Sequence, residues 1–102
     1  MTLASIREAE PGTLLLSGVL DYRNGPLLRK EGGQLIKASV APALVIDCAE
    51  VEKSSSVGLS LLLAFMRDAK AQQKNLTLRA LPDDMLQIAQ VCGLTALLPL
   101  QA

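Results

Sequence analysis

Hydrophobic residues in this chain follow two rhythms, short runs and helical spacings, cut apart by turn residues. Thr13 to Leu16 is a short apolar run bounded by Pro11-Gly12 and Gly18. It predicts a strand, paired through the Pro-Gly turn with the segment Ala4 to Glu10. Asp21 to Gly25 (Asp-Tyr-Arg-Asn-Gly) is polar and predicts a loop, and Pro26 suits the first turn of a helix. Leu27, Leu28, Leu35 and Ile36 then recur at helical spacing, with Arg29, Lys30, Glu31 and Lys37 between them. Gly32-Gly33 weakens that helix by roughly 1 kcal/mol per glycine relative to alanine, and predicts close packing or a kink.

Ala43 to Asp47 follows Pro42 as a short β-branched run and predicts a strand buried on both faces. Val57 to Ala71 carries the strongest helical pattern, with Gly58, Leu61, Leu62, Phe65 and Ala69 on one face. Leu76 to Arg79 predicts a fourth strand. Pro82, Asp83 and Asp84 suit the start of a third helix, where acidic residues meet the positive end of the dipole. Met85, Ile88, Ala89 and Cys92 follow at i, i+3, i+4 and i+7, and Gly93 suits the position just past the helix. Leu97 to Leu100 could add a last short strand. The order is β-β-α-β-α-β-α with an optional final β, so the expected fold is α/β. Its sheet is mixed and mainly parallel, four- to five-stranded, with right-handed crossovers.

Composition narrows what such a fold can do. The chain has 102 residues, enough for one domain over 1–102 and too short for two. It is 50% hydrophobic with ten basic and ten acidic residues, which argues against disorder and against a general nucleic-acid binder. One Phe, one Tyr and no Trp leave little for stacking bases. With no histidine, Ser-His-Asp and Cys-His catalysis and imidazole-dependent zinc sites are excluded within the chain. Cys48 and Cys92 are too far apart for a CxxC motif, and both are expected to be buried thiols in a reducing cytoplasm. The start at Met1, Thr2, Leu3 and Ala4, with Arg7 and Glu8 close behind, does not read as a signal peptide. The longest apolar run, Leu61 to Met66, falls far short of the ~20 residues a membrane span needs.

Two features invite function. Ser54-Ser55-Ser56 lies between a strand and a helix. Either it only caps the helix, or it forms a recognition loop whose hydroxyl could carry a phosphate, favoured there by the dipole and free N–H groups. The helix that follows is apolar nearly all round, with Leu59, Leu63 and Met66 forming a second face. That face is either covered by another helix or exposed to a partner. Asp47, Glu50 and Glu52 lack metal-ligand spacing and are expected to solvate the loop after the strand. Asp83-Asp84 reads as a helix start rather than a catalytic carboxylate pair. Neither a Gly-x-Gly-x-x-Gly nor a P-loop is present, so no cofactor, nucleotide or metal is expected.

Several stretches in order resemble one family. Leu44-Val45-Ile46-Asp47, then Val51, then Ser54-Ser55-Ser56-Val57-Gly58-Leu59 and an apolar helix look like the STAS domain signature. Gly18-Val19-Leu20-Asp21 resembles the segment after that family's second strand, and Ile88-Ala89 with Cys92-Gly93-Leu94 resembles its final helix. The resemblance implies a binding module with helices on one side of the sheet. Two branches are in view. In anti-sigma-factor antagonists a serine at the helix start is phosphorylated by a partner kinase, and that position matches Ser56. Those antagonists read Asp-Ser-Ser-Gly, whereas this chain reads Ser55-Ser56-Val57-Gly58. The other branch is the small STAS subunit of Mla-type phospholipid ABC transporters, whose compact length and Leu97-Leu98-Pro99 ending this chain resembles. It implies a non-enzymatic cytoplasmic subunit, peripheral to the inner membrane, bound to the transporter ATPase and supporting outer-membrane lipid asymmetry. The expected partner-binding residues are Asp21, Ser54, Ser55, Ser56, Val57, Leu59 and Leu63. The composition also permits a homodimer of the isolated domain through the apolar helix.

Overall fold

A computed structural model describes residues 4–100, so the expectation about the first three residues lies outside the described chain. The elements are β1 (Ser5–Glu10), β2 (Thr13–Leu20), α1 (Gly25–Ala38), β3 (Ala43–Ser54), α2 (Ser56–Ala71), β4 (Asn75–Arg79) and α3 (Asp83–Val91). A single 3-10 turn, Thr95–Leu97, follows. The strands lie in the order β1-β2-β3-β4. β1 and β2 form an antiparallel hairpin, whereas β2–β3 and β3–β4 are parallel and joined by α1 and α2. The expected mixed, mainly parallel sheet is found, with four strands and the helices on one side.

Alternation along β2 explains that sidedness. Leu14, Leu16 and Leu20 are fully buried under the helices, while Thr13, Leu15, Ser17 and Val19 between them are half-exposed on the open face. Leu44, Ile46 and Cys48 of β3 and Leu76 and Leu78 of β4 continue the buried layer. Leu28 and Ile36 of α1, Leu61, Leu62 and Phe65 of α2, and Met85 and Ala89 of α3 close it from above. The Gly32-Gly33 pair has a packing reason. A β-carbon at Gly32 would overlap the Phe65 ring, so the missing side chain lets α1 close onto α2 around the chain's one phenylalanine.

α2 lies between α1 and α3, and this position decides the fate of its second apolar face. Leu59 is 3% exposed, and Leu63 and Met66 are half-buried against the core. The covered alternative holds, because a helix flanked on both sides buries two stripes.

β3 runs to Ser54 rather than stopping at Asp47. Its ladder with β2 steps from Leu15↔Asp47 to Ser17↔Glu50, and again from Gly18↔Val51 to Val19↔Lys53. Each step adds a residue to β3, a bulge that breaks the period of two. The alternation therefore vanishes from the sequence, although Val51 still points into the core at 8% exposure. Glu50 and Glu52 consequently stand exposed on a strand, and Asp47 is half-buried on it; none sits in a loop. The optional strand at Leu97 to Leu100 is replaced by the 3-10 turn and one parallel bridge, Leu78↔Leu100, with Leu78 N–H donating to the Pro99 carbonyl at 2.9 Å. Cys48 is buried as expected, but Cys92 is exposed: α3 ends at Val91, and the chain is already turning away through Gly93 at φ +70°.

Polar groups are tied off at the end of the sheet where β2 and β3 begin. Lys74 Nζ donates to the carbonyls of Ile36 at 2.6 Å and Ser39 at 2.5 Å, satisfying the C-terminus of α1 from another part of the chain. Glu8 Oε2 accepts from Gly12 N–H and from Ser39 Oγ, both at 3.0 Å.

Candidate functional site

The opposite end, where β2 and β3 deliver their last residues, carries the serine run. Ser54 closes β3, Ser55 is the N-cap of α2, and Ser56 is its first helical residue. Ser55 Oγ accepts from Val57 N–H at 3.2 Å, the expected cap. The same hydroxyl donates to the Leu20 carbonyl at 3.3 Å, and Ser55 N–H reaches that carbonyl at 3.1 Å, so the turn is fastened to the end of β2. Ser54 N–H donates to Asp84 Oδ2 at 3.0 Å, fastening it to the first turn of α3 as well. Ser54 Oγ is spent on the Ser55 carbonyl at 2.8 Å. Ser55 and Ser56 are both exposed, but Ser56 differs from Ser54 and Ser55 in that its hydroxyl has no hydrogen-bond partner among the described residues.

Gly58 makes this turn possible. A β-carbon there would overlap Ser54 Oγ and would lie 3.1 Å from Met85 Cε and 3.2 Å from Leu20 Cδ1. The helix therefore starts tight against both β2 and α3.

Beside the serine turn stands the β2–α1 loop. Asp21 Oδ1 accepts from Arg23 N–H at 3.0 Å, and its Oδ2 pairs with the Arg23 guanidinium at 2.8 Å. The Arg23 hydrogen bond, with the loop N–H groups, holds the Asp21 carboxyl below the usual carboxylate range. Asn24 Nδ2 donates to the Val19 carbonyl at 2.8 Å, so the loop is ordered by its own side chains. Tyr22 is left 77% exposed, with Arg23 over its ring at 5.9 Å. Tyr22, Pro26, Val57 and Ser60 border one shallow, mostly apolar depression between the starts of α1 and α2.

The structure thus gathers Asp21, Ser54, Ser55, Ser56 and Val57 at one end of the molecule. Leu59 does not join them on the surface, because its side chain belongs to the core. Leu63, one turn further along α2, is half-buried and packed against that core. Two residues of this end were missed. Tyr22 had a signal, being the chain's one tyrosine placed inside a polar loop. Asp84 was read only as a helix-start residue, and nothing in the sequence links it to Ser54, thirty residues away.

No group of three or more His, Cys, Asp or Glu side chains that could hold a metal occurs among the described residues. Burial, with a smaller push from nearby Asp47, raises the Cys48 thiol to about 12, so it stays protonated at neutral pH. No helix among the described residues is long and apolar enough to cross a membrane.

Known proteins share this fold. The MlaB subunit in the Acinetobacter MlaFEDB complex, in an ATP-bound conformation, superimposes with a TM-score of 0.82 at 26% identity, over 95% of this chain and 99% of that one. An anti-sigma factor antagonist from Mycobacterium paratuberculosis matches with a TM-score of 0.74 at 26% identity, over 98% and 85% of the two chains. The anti-sigma factor antagonist SpoIIAA in its unphosphorylated form shares the fold at 17% identity, with a TM-score of 0.72 over 98% and 89%. No curated protein sequence matches significantly. The family model described as "Mlab, STAS domain" spans residues 4–99, and the chain belongs to that family.

Proposed function

We propose that this protein is a non-catalytic accessory subunit that docks on the cytoplasmic ATPase of an Mla-type phospholipid ABC transporter. In this role it supports assembly and activity of the complex, and through it the lipid asymmetry of the outer membrane. The observation that carries the reading is the likeness to the MlaB subunit over nearly the whole of both chains. The exposed, preorganised end fits it. Ser56 and Val57 form the centre of the docking surface, the Asp21 loop its rim, and Leu63 its margin, with Ser54 and Ser55 holding the turn in shape. Leu59 supports the surface from below. Energetically, the subunit binds one conformation of the ATPase more tightly than others and shifts its population toward that state.

Co-expression with an Mla-type transporter ATPase from the same organism tests the reading. Wild type is expected to co-purify, and Ser56→Arg to lose the partner while keeping its melting temperature. Undiminished co-purification of Ser56→Arg means the docking surface lies elsewhere. The unpartnered Ser56 hydroxyl at a helix start also favours a second reading, an anti-sigma-factor antagonist switched by phosphorylation there. Intact mass after incubation with a kinase encoded nearby and ATP separates the two. One added phosphate on wild type, absent from Ser56→Ala, supports the switch.

A further inference from the structure

The net charge of zero conceals a segregated distribution. α1, α2 and the adjoining Lys74 carry six cations (Arg29, Lys30, Lys37, Arg67, Lys70, Lys74) against two acids, Glu31 and Asp68. The rest of the chain carries four cations and eight acids. Three of the six cations border one feature, a groove between α1 and α2 of about 400 Å³. Lys30, Gln34 and Lys37 lie along one wall, successive turns of the same face of α1, and Gln72 lies on the other. Ala71 contributes little side chain, and Gly33 makes room for an ion pair that lies across it: its β-carbon would stand 3.2 Å from both Arg29 Nη1 and Asp68 Oδ2. That pair is two-pronged, with Nη2 to Oδ1 at 3.1 Å, so this arginine is neutralised and fixed in place. Lys30 and Lys37 make no ion pair among the described residues.

We propose that this groove is a second binding surface, separate from the serine end, which takes an acidic extended segment of a partner protein. The chemistry matches on two counts. Two unpaired ammonium groups, two turns apart on α1, suit spaced carboxylates. The amides of Gln34 and Gln72 can both donate to and accept from a peptide backbone. A flat lipid surface would be met by cations on an outward ridge, whereas these cations flank a cleft. No aromatic side chain lines the groove for stacking bases. Segregated charge would also speed the encounter with an acidic partner.

The probe is a fluorescein-labelled peptide of alternating glutamate and glycine, read by fluorescence anisotropy against the full chain at low salt. Binding is expected to weaken about tenfold in Lys30→Glu/Lys37→Glu, since two attractions become repulsions at exposed positions. Gln34→Ala/Gln72→Ala should weaken it without changing charge, and since both side chains are exposed the fold should persist. Amide shifts in NMR titration should cluster at residues 30–37 and at Gln72. Ser56→Arg should bind the peptide as wild type does, so the groove and the docking reading fail separately. Wild-type affinity in the double variant, an equal loss in a Lys53→Glu control, or shifts spread over every lysine would overturn the groove. So would sedimentation with phosphatidylglycerol vesicles that depends on the same two lysines and exceeds peptide binding.

Discussion

The two ends of the parallel strands solve one problem in opposite ways. Both must satisfy the exposed polar groups where helices meet the sheet. At the end where β2 and β3 begin, long side chains cross the fold to do it: Lys74 reaches the last carbonyls of α1, and Glu8 bridges Gly12 and Ser39. At the serine end, short side chains and backbone do it: Ser55 caps its own helix and reaches the Leu20 carbonyl, Ser54 N–H reaches Asp84, and Asp21 orders its own loop. Short reach keeps the surface low, and it leaves Ser56 and Tyr22 standing clear. One end is thereby fastened for stability, and the other is held in shape while still offering contacts.

Substitutions can break or sharpen this contrast. The largest effect is expected from Gly58→Val, which forces a branched side chain into Ser54, Met85 and Leu20. Overpacking of this kind costs about 2–3 kcal/mol, and urea melts should show it together with loss of ATPase binding. Lys74→Met keeps the aliphatic stem but removes the donor to Ile36 and Ser39. It should cost about 1–2 kcal/mol and leave partner binding unchanged; a binding defect would mean the two ends are coupled. Ser55→Ala should cost about 1 kcal/mol through the lost cap. Ser56→Ala should stay within about 0.5 kcal/mol of wild type, because its hydroxyl supports nothing. Equal destabilisation by the two serine variants would erase the distinction between capping and contact.

Acid should have the smallest effect. Asp47, whose partial burial is outweighed by hydrogen bonds from Arg79 and from the Ala49 N–H, is depressed in the fold, as Asp21 is by Arg23. A depressed carboxyl contributes stability above its unfolded value and loses it as the pH falls through the folded one. Melting temperature should therefore be flat near neutrality and decline only below about pH 4, by little, since the guanidinium partners Arg23 and Arg79 are open to solvent and both pairs are screened. Asp47→Asn should flatten part of that decline.

The alternating and helical patterns made β2, α1, α2, β4 and α3 legible, because each buries at least one regular stripe. The second half of β3 was not, because two bulges break its period and leave Val51 as a lone anchor among Glu50, Glu52 and Lys53. The serine turn was legible as a cap, but not which of its three serines supplies the acceptor. The difference between Ser55 and Ser56 was not, since it depends on the Leu20 carbonyl, far away in sequence. Leu59 looked like surface because helical periodicity shows which residues share a face but not what packs on it. The burial of Leu59 follows from the place of α2 between its two neighbouring helices.

The margins of the sheet carry one more consequence. β1 turns an unpaired edge to solvent, but it is only six residues long, bears Arg7, Glu8 and Glu10, and is irregular between Glu8 and Glu10. The margin along β4 is met instead by the chain itself, through the bridge at Leu78 and Leu100. Neither side presents a long, flat, apolar ladder to a neighbouring molecule, so strand-by-strand polymerisation has no template to start from. A domain half apolar in composition thus keeps its apolar surface off the margins of its sheet.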